Sequence, residues 1–470
     1  APMQENISST FNSLQQRSFL LRTEPIKHRK NRLQNLKNWI HANRSAIHQA
    51  IYNDFKKPAA EVDGAEIFHV LSEIKLALSK LSTWTTPIKV EAPLTMIGTR
   101  SWIKPEPKGV CLIISPWNYP FSLAIGPLIS AIAAGNTVIL KPSELTPSTS
   151  SLLKRLVEEV FTDNTVKLFE GDASVAQALL KLPFDHIFFT GSPAIGKVVM
   201  KAAAEHLTSV TLELGGKSPV IVTASASIKE AAKRIVVAKF LNNGQTCVAP
   251  DYVLVAREIK DAFVEAIKAE LKTCFGLGKE LKSSGNYCRI VSAKHFTRLQ
   301  TLLTEALNKG ATIALEGDHD EQDLFFHPHV VLQPRLDSRL MEEEIFGPIL
   351  PVVEFSSLDN ALAIIQEKPK PLALYIFGNQ KHEIEKIVNQ TSSGATGIND
   401  CAVHFLHHNL PFGGVNNSGI GKSHGYFGFL AFSNEKAIMK QRHGLTTFQP
   451  FYPPYSALKD KLMHWFLKFF

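Results

Sequence analysis

The chain is poor in cysteine: Cys111, Cys247, Cys274, Cys288 and Cys401 are scattered, odd in number and never in a C-x-x-C spacing. That argues against a disulfide framework and against a structural zinc site, and it points to a reducing compartment. Triplets such as Asn416-Asn417-Ser418 then mean nothing for glycosylation. Long apolar runs are missing as well, and no stretch approaches the ~18–20 residues that a membrane span needs. The first twenty residues are polar and lack an apolar centre, so no signal peptide is expected. Charge of one sign is scarce. The net +8 is modest for 470 residues, and clusters such as His28-Arg29-Lys30-Asn31-Arg32 are short and sit in helix-like sequence. A solvated helix face accounts for them better than nucleic-acid binding does. Repeats and low-complexity tracts are absent.

What is present is enough apolar sequence, 44%, for a large core in two or three structural units. Residues 7–82 read as helices, with Leu33, Leu36, Trp39 and Ile40, then Leu71, Ile74 and Leu78, at helical spacing. The proline-punctuated stretch 92–109 follows, and its alternating middle, Thr95 to Ile103, suits an extended arm or hairpin. From Gly109 short apolar runs (GVCLIISP, NTVILKPSE, VKLFEG, HIFFTGS) alternate with helix-like stretches. That alternation indicates parallel strands with crossover helices, an α/β class with a Rossmann-like dinucleotide fold. VTLELGGKSPVIV at 210–222 opens a second α/β region that runs to PLALYIFG at 371–378.

Ligands of such sheets bind where strands end, so the polar sequences after the apolar runs are the places to look. FTGSPAIG sets Gly191 and Gly196 around a helix start, whose unpaired N–H groups suit a pyrophosphate. Its spacing is not G-x-G-x-x-G, and tight-turn glycines explain it about as well. KPSE offers Lys141 and Glu144 to ribose hydroxyls or, more plainly, forms a surface ion pair. In SPWNYP, Asn118 sits between Pro116 and Pro120, as an oxyanion donor or a turn former. LELGGK puts Glu213 in an apolar strand, where a carboxyl gains a raised pKa and can act as a base, or is a buried structural group. In FLNNGQTCVAPDY, Cys247 is either a structural thiol or a nucleophile, with Gly244 giving the backbone room to turn.

Taken together and in order, SPWNYP, KPSE, FTGS-x-x-x-G, LELGGKSP, N-x-GQTC, EEIFGP (343–348) and PFGG (411–414) resemble the aldehyde dehydrogenase superfamily. The resemblance covers about residues 10–445. FDHIFFTG, SVTLELGGKSP, GQTCVAPDY, KPLALYIFG and the loop with Asn399, Asp400, His404 and Phe405 are similar to the class 3 branch, which includes fatty aldehyde dehydrogenases.

The resemblance implies NAD(P)-dependent oxidation of medium- or long-chain aliphatic, or aromatic, aldehydes to acids through a thiohemiacetal and a thioester. It makes Cys247 the nucleophile, Asn118 the oxyanion donor and Glu213 the base that activates water. Lys141 and Glu144 become adenine-ribose contacts, and Gly191 and Ser192 the pyrophosphate turn with Gly196 behind it. Glu344 and Phe346 position the nicotinamide ribose and ring, with Leu214 packed nearby. Tyr119, Phe240, Thr246, Phe405 and Phe412 are the expected pocket walls. The cofactor is expected to be NAD, because Glu144 repels a 2′-phosphate, with NADP left open. No metal is expected, and His404, His407 and His408 are not assigned to one.

The implied organisation is a dinucleotide-binding domain (1–91 and 105–211), a catalytic domain (212–395), a small β oligomerisation region (92–104 and 396–440) and a C-terminal tail (441–470). A homodimer in the cytoplasm is expected. The tail, LKDKLMHWFLKFF after Tyr452-Pro453-Pro454-Tyr455, is apolar and basic. It is expected to dock on the protein's own core or a partner subunit, with peripheral membrane contact as the other reading. Two alternatives stand beside this function: an acylating enzyme that passes the thioester to coenzyme A, and a non-catalytic binding protein on the same fold.

Overall fold

The computed structural model describes residues 2–470, and three sheets organise them. The six-stranded sheet runs in the order Gly419–Ile420, Ser209–Glu213, His186–Thr190, Val110–Ile114, Thr137–Lys141, Val166–Leu168. All pairs are parallel except the short edge strand Gly419–Ile420. These strands read as unbroken apolar runs because both faces are covered. On one face Cys111, Ile113, Val138 and Leu140 pack against Leu36, Ile74, Leu128 and Leu153 from four helices. On the other, Leu112, Ile139 and Ile187 meet Phe11, Leu179 and Val199 from three more. Full burial of each such side chain stabilises by about 1.5–3 kcal/mol.

Val110–Ile114 is hydrogen-bonded to Thr137–Lys141 on one side and His186–Thr190 on the other. The chain therefore winds outward in one direction and then the other, and a crevice opens past the strand ends at that switch point. Pro116–Asn118 and Gly191–Ser192 lie there.

The seven-stranded sheet has the order Thr312–Leu315, His329–Leu332, Ile349–Phe355, Tyr252–Ala256, Pro219–Val222, Ala373–Phe377, Ala395–Ile398, parallel but for its first strand. Ser209–Glu213 belongs to the first sheet, pairing along its length with His186–Thr190. Leu212 is buried in that sheet's core, so the break between sheets falls between Glu213 and Pro219 rather than at the expected 211/212.

The third sheet is antiparallel: Ile88–Val90, Arg100–Pro107 and Ser433–Lys440. The expected arm is thus half turn and half strand, since Leu94–Met96 is a tight helical turn and pairing starts at Arg100. The C-terminal helix Ala457–Phe469 differs more. It does not dock on the protein's own core: none of its residues is buried, and the aromatic contacts of Phe466 are with the neighbouring Phe448, Phe451 and Phe470 rings. Most of the thirteen residues are exposed, and Lys459, Met463 and Phe466 are half-buried. Among the described residues, no helix is long and apolar enough to cross a membrane.

Candidate active site

Cys247 sits in the loop between the helix Ile228–Phe240 and the strand Tyr252–Ala256. The loop is shaped by three successive left-handed residues, Asn242 (φ 54°), Asn243 (φ 56°) and Gly244 (φ 74°). Asparagine tolerates that region through local hydrogen bonds, and glycine without strain. At 244 a Cβ would also strike the Gly347 carbonyl. Side chains then lock the turn. Gln245 Nε2 donates to the Arg289 carbonyl (3.1 Å) and its Oε1 accepts from Val291 N–H (3.1 Å). Asn242 Nδ2 donates to the Asn118 carbonyl (2.9 Å) and the Gln245 carbonyl (3.0 Å).

Asn118 is buried, with its Nδ2 3.2 Å from the Gln245 carbonyl and 3.9 Å from Cys247 Sγ. Its backbone is held from below by Lys57, a fully buried lysine whose Nζ donates to the Asn118 carbonyl (3.0 Å) and to Glu66 (2.9 Å). Tyr119 Oη is 2.8 Å from Thr246 Oγ1, a further tie between the two loops.

Half-buried Cys247 and buried Asn118 line two cavities at once. One, of about 980 Å³, is apolar and includes Tyr119, Thr246, Phe405 and Phe412 of the expected walls, together with Glu213 and Leu214. Phe240 is not on that wall: it packs in the core beneath the second sheet, 1% exposed, because its helix turns it inward. The other, of about 450 Å³, is a cleft with a larger polar share than the first, containing Gly191, Ser192, Glu344 and Phe346.

The cleft fits a dinucleotide. The helix Pro193–Ala204 opens onto it with proline in its first turn and the Ser192 side chain accepting from Ile195 N–H. At Gly191 a Cβ would come 2.6 Å from the Phe189 ring, and at Gly215 it would collide with the Glu344 carboxylate, so at these two positions backbone lines the wall. Lys141, Glu144 and Gly196 do not line this cleft. Lys141 Nζ is buried and donates to the Pro142 carbonyl (2.7 Å), 3.9 Å from half-exposed Glu144, while Gly196 admits Leu214 against its helix.

Electrostatics couple the three central groups. Burial raises the Glu213 carboxyl to about 7, opposed by the Ser423 hydroxyl bonded to it and by Lys422. Glu344 is raised to about 8, by desolvation first and Asp251 second. The Cys247 thiol is pushed well up by burial, then by Glu344 and Glu213, against the pull of the Asn118 amide and its own N–H. An arriving positive charge in the cleft would favour the thiolate.

Several supporting residues carry no local signal in the sequence. Lys217 Nζ bonds Asp251 and the Leu340 and Glu343 carbonyls, and Asp251 accepts from Ile345 N–H (2.9 Å). Arg298 donates to the Ile345 carbonyl (2.8 Å), completing the clamp on the Glu344 segment. Lys217 and Asp251 lie inside quoted motifs, where charge among apolar neighbours was the available clue. Arg298 and Lys57 had none.

The chain as a whole has close counterparts. Residues 4–438 match the aldehyde dehydrogenase family. The chain belongs to that family. It is 45% identical over 417 residues to 4,4'-diaponeurosporen-aldehyde dehydrogenase of Staphylococcus aureus, covering 89% of this chain and 90% of that one. It is 44% identical over 416 residues to aldehyde dehydrogenase family 3 member H1 of Arabidopsis thaliana, covering 88% and 85%. The substrate-bound structure of Staphylococcus aureus AldH superposes with a TM-score of 0.93 at 42% identity, covering 98% of this chain and 99% of that one. This aldehyde dehydrogenase oxidises aldehydes to acids with a nicotinamide dinucleotide, NAD or NADP.

Proposed function

We propose that Cys247 is the nucleophile of a non-acylating, class 3-like aldehyde dehydrogenase acting on medium- to long-chain or aromatic aldehydes. The observation that carries this reading is the Cys247 sulfur at the junction of an apolar cavity and a more polar cleft, 3.9 Å from the Asn118 amide. The thiolate attacks the aldehyde carbon. Asn118 Nδ2 and the Cys247 N–H hold the resulting oxyanion, each good donor contributing about 3–4 kcal/mol in comparable sites. When bound, the oxidised nicotinamide supplies positive charge beside the thiol and accepts the hydride. Glu213 then takes a proton from water as that water attacks the thioester carbon, and the Cys247 thiolate leaves. Gly191, Ser192, Glu344 and Phe346 hold the dinucleotide, with Lys141 and Glu144 on its adenine ribose. The Glu144 carboxylate favours NAD.

The substrate class rests on the size and apolar lining of the larger cavity, with Val237, Leu241, Val403 and Leu406 beside the aromatic walls. The similarity to the diaponeurosporen-aldehyde enzyme and to a family 3 member supports it. We assign the dinucleotide to the six-stranded unit, the nucleophile to the seven-stranded one, and homodimer formation to the third sheet. Ile88, Val90 and Met439 are exposed on that sheet. A cytoplasmic enzyme whose exposed C-terminal helix touches membrane surfaces completes the reading.

The test is aldehyde-dependent NADH formation without coenzyme A, by wild type and Cys247→Ser. Wild-type turnover to free acid and at least a 1000-fold loss in the variant are expected. An absolute coenzyme A requirement, or an active serine variant, overturns the assignment.

A further inference from the structure

Glu213 lines a second cavity as well, a small space of about 20 Å³ that Cys247 and Asn118 do not line. Its other polar walls include His69, Glu73, Ser122, Ser423 and His424. Three atoms around it lack any hydrogen-bond partner: Glu73 Oε1, Ser122 Oγ and His424 Nδ1. Buried polar atoms are almost always satisfied, and a polar space of this size holds about one water. The walls are built with care. Glu73, 5% exposed, keeps its Oε2 on Gly425 N–H (2.9 Å), which leaves Oε1 free. His424 is held at φ 73°, a conformation non-glycine residues adopt only where the surroundings impose it. A Cβ at Gly126 would stand 3.3 Å from His69 Nε2, so the glycine keeps the space open.

Resting on the reading of Glu213 as the hydrolytic base, we propose that this cavity is its proton outlet, with Glu73 as the acceptor. Glu213 collects a proton at the thioester step and must lose it before the next turnover. Its O–H bond breaks toward the cavity water, directly or through the Ser423 hydroxyl bonded to it, and a proton of that water passes on to Glu73 Oε1. One proton moves and no electrons do: Glu213 returns to carboxylate, Glu73 becomes the acid, and Glu73 then releases the proton to solvent water or buffer before the next turnover.

The electrostatics suit the transfer. Burial raises both carboxyls to about 7, so neither is a trap for the other's proton. His69 and His424 are driven down by burial and stay neutral, as hydrogen-bond partners rather than competing charges. The other titratable groups facing this region are Lys422 and His404, with Cys247 across Glu213 and His408, whose Nδ1 is 2.9 Å from Ser72 Oγ. Ligand atoms of His69, Glu73 and His424 all lie within 4.8 Å of one another, so a metal ion is the rival occupant of this space that the test must separate from water.

The test is Glu73→Gln in the full-length enzyme, where the amide oxygen can still accept from Gly425 N–H. The first-turnover burst of NADH should be unchanged, steady-state turnover should fall about tenfold, and the rise in rate near pH 7 should move. Small buffer bases such as imidazole should restore part of the rate. If this variant does not fold, Ser423→Ala should give the same burst with slow, buffer-rescued turnover. Glu213→Gln separates the two ideas. If it slows deacylation while Glu73→Gln and Ser423→Ala match wild type in rate and pH profile, the outlet is wrong and the base stands. If Glu213→Gln itself turns over normally, the base assignment fails and the outlet with it. Stoichiometric zinc in the purified enzyme, lost on Glu73→Gln, would also overturn the proposal.

Discussion

The two cavities that meet at Cys247 are built on different plans. The dinucleotide cleft brings backbone close at the glycines 191, 215 and 216 and at a helix start, and its Glu344 segment is clamped by Lys217, Asp251 and Arg298. The substrate cavity is walled by side chains, from helix Ile228–Phe240, the Tyr119 turn and the Cys401–Leu406 segment. A cofactor is one fixed molecule, and close backbone approach suits it. A hydrophobic substrate is recognised by volume, and volume can be altered one side chain at a time.

The comparison breaks hardest at the shared wall. Asn118→Ala should lower kcat by about 10²–10³ with little change in thermal midpoint, because it removes one oxyanion donor. Single-turnover rates check it, and a loss under fivefold would remove Asn118 from that role. A milder probe acts on the substrate side alone. Val403→Trp should cut kcat/KM for a long-chain aldehyde about tenfold or more while leaving a short one and the dinucleotide KM nearly unchanged. Equal losses for both aldehydes would mean that the cavity does not sort by volume. The smallest effect is expected from deleting residues 456–470. Short-aldehyde turnover should stay within twofold, while sedimentation with anionic vesicles falls. Unchanged vesicle binding argues against the membrane role.

The dinucleotide side was the more legible in sequence. Glycines and the charges beside them recur in order as FTGS, LELGGK and EEIFGP, since each marks a local conformation or a strand end. Cys247, Asn118 and Glu213 each kept a structural alternative on local sequence alone, and only the order of the motifs singled them out. The walls of the large cavity were only half legible. Phe240 and Phe412 are both phenylalanines beside polar loops, yet helix phase alone turns Phe240 into the core. Least legible was everything set by distant contact. Glu73 meets Gly425 across 352 positions, and Lys57 meets Asn118 across 61, with neither sequence neighbourhood announcing the other. The C-terminal helix shows the converse: of the covers expected for it, the protein's own core is not the one it takes, and only the short Phe448–Phe451 segment packs against it.

The close approach of Gly244 to the Gly347 carbonyl has a mechanical consequence. Phe346, itself at φ 54°, directly precedes Gly347, so the cysteine loop and the Glu344–Phe346 segment bear on each other at backbone there, and again where Asp251 accepts from Ile345 N–H. Were the two cavities to breathe, sulfur and ring support would shift as one piece. Alignment between the bond-forming atom and its redox partner is therefore gauged by main chain, and mutations in either cavity's lining can retune what enters without disturbing where it reacts.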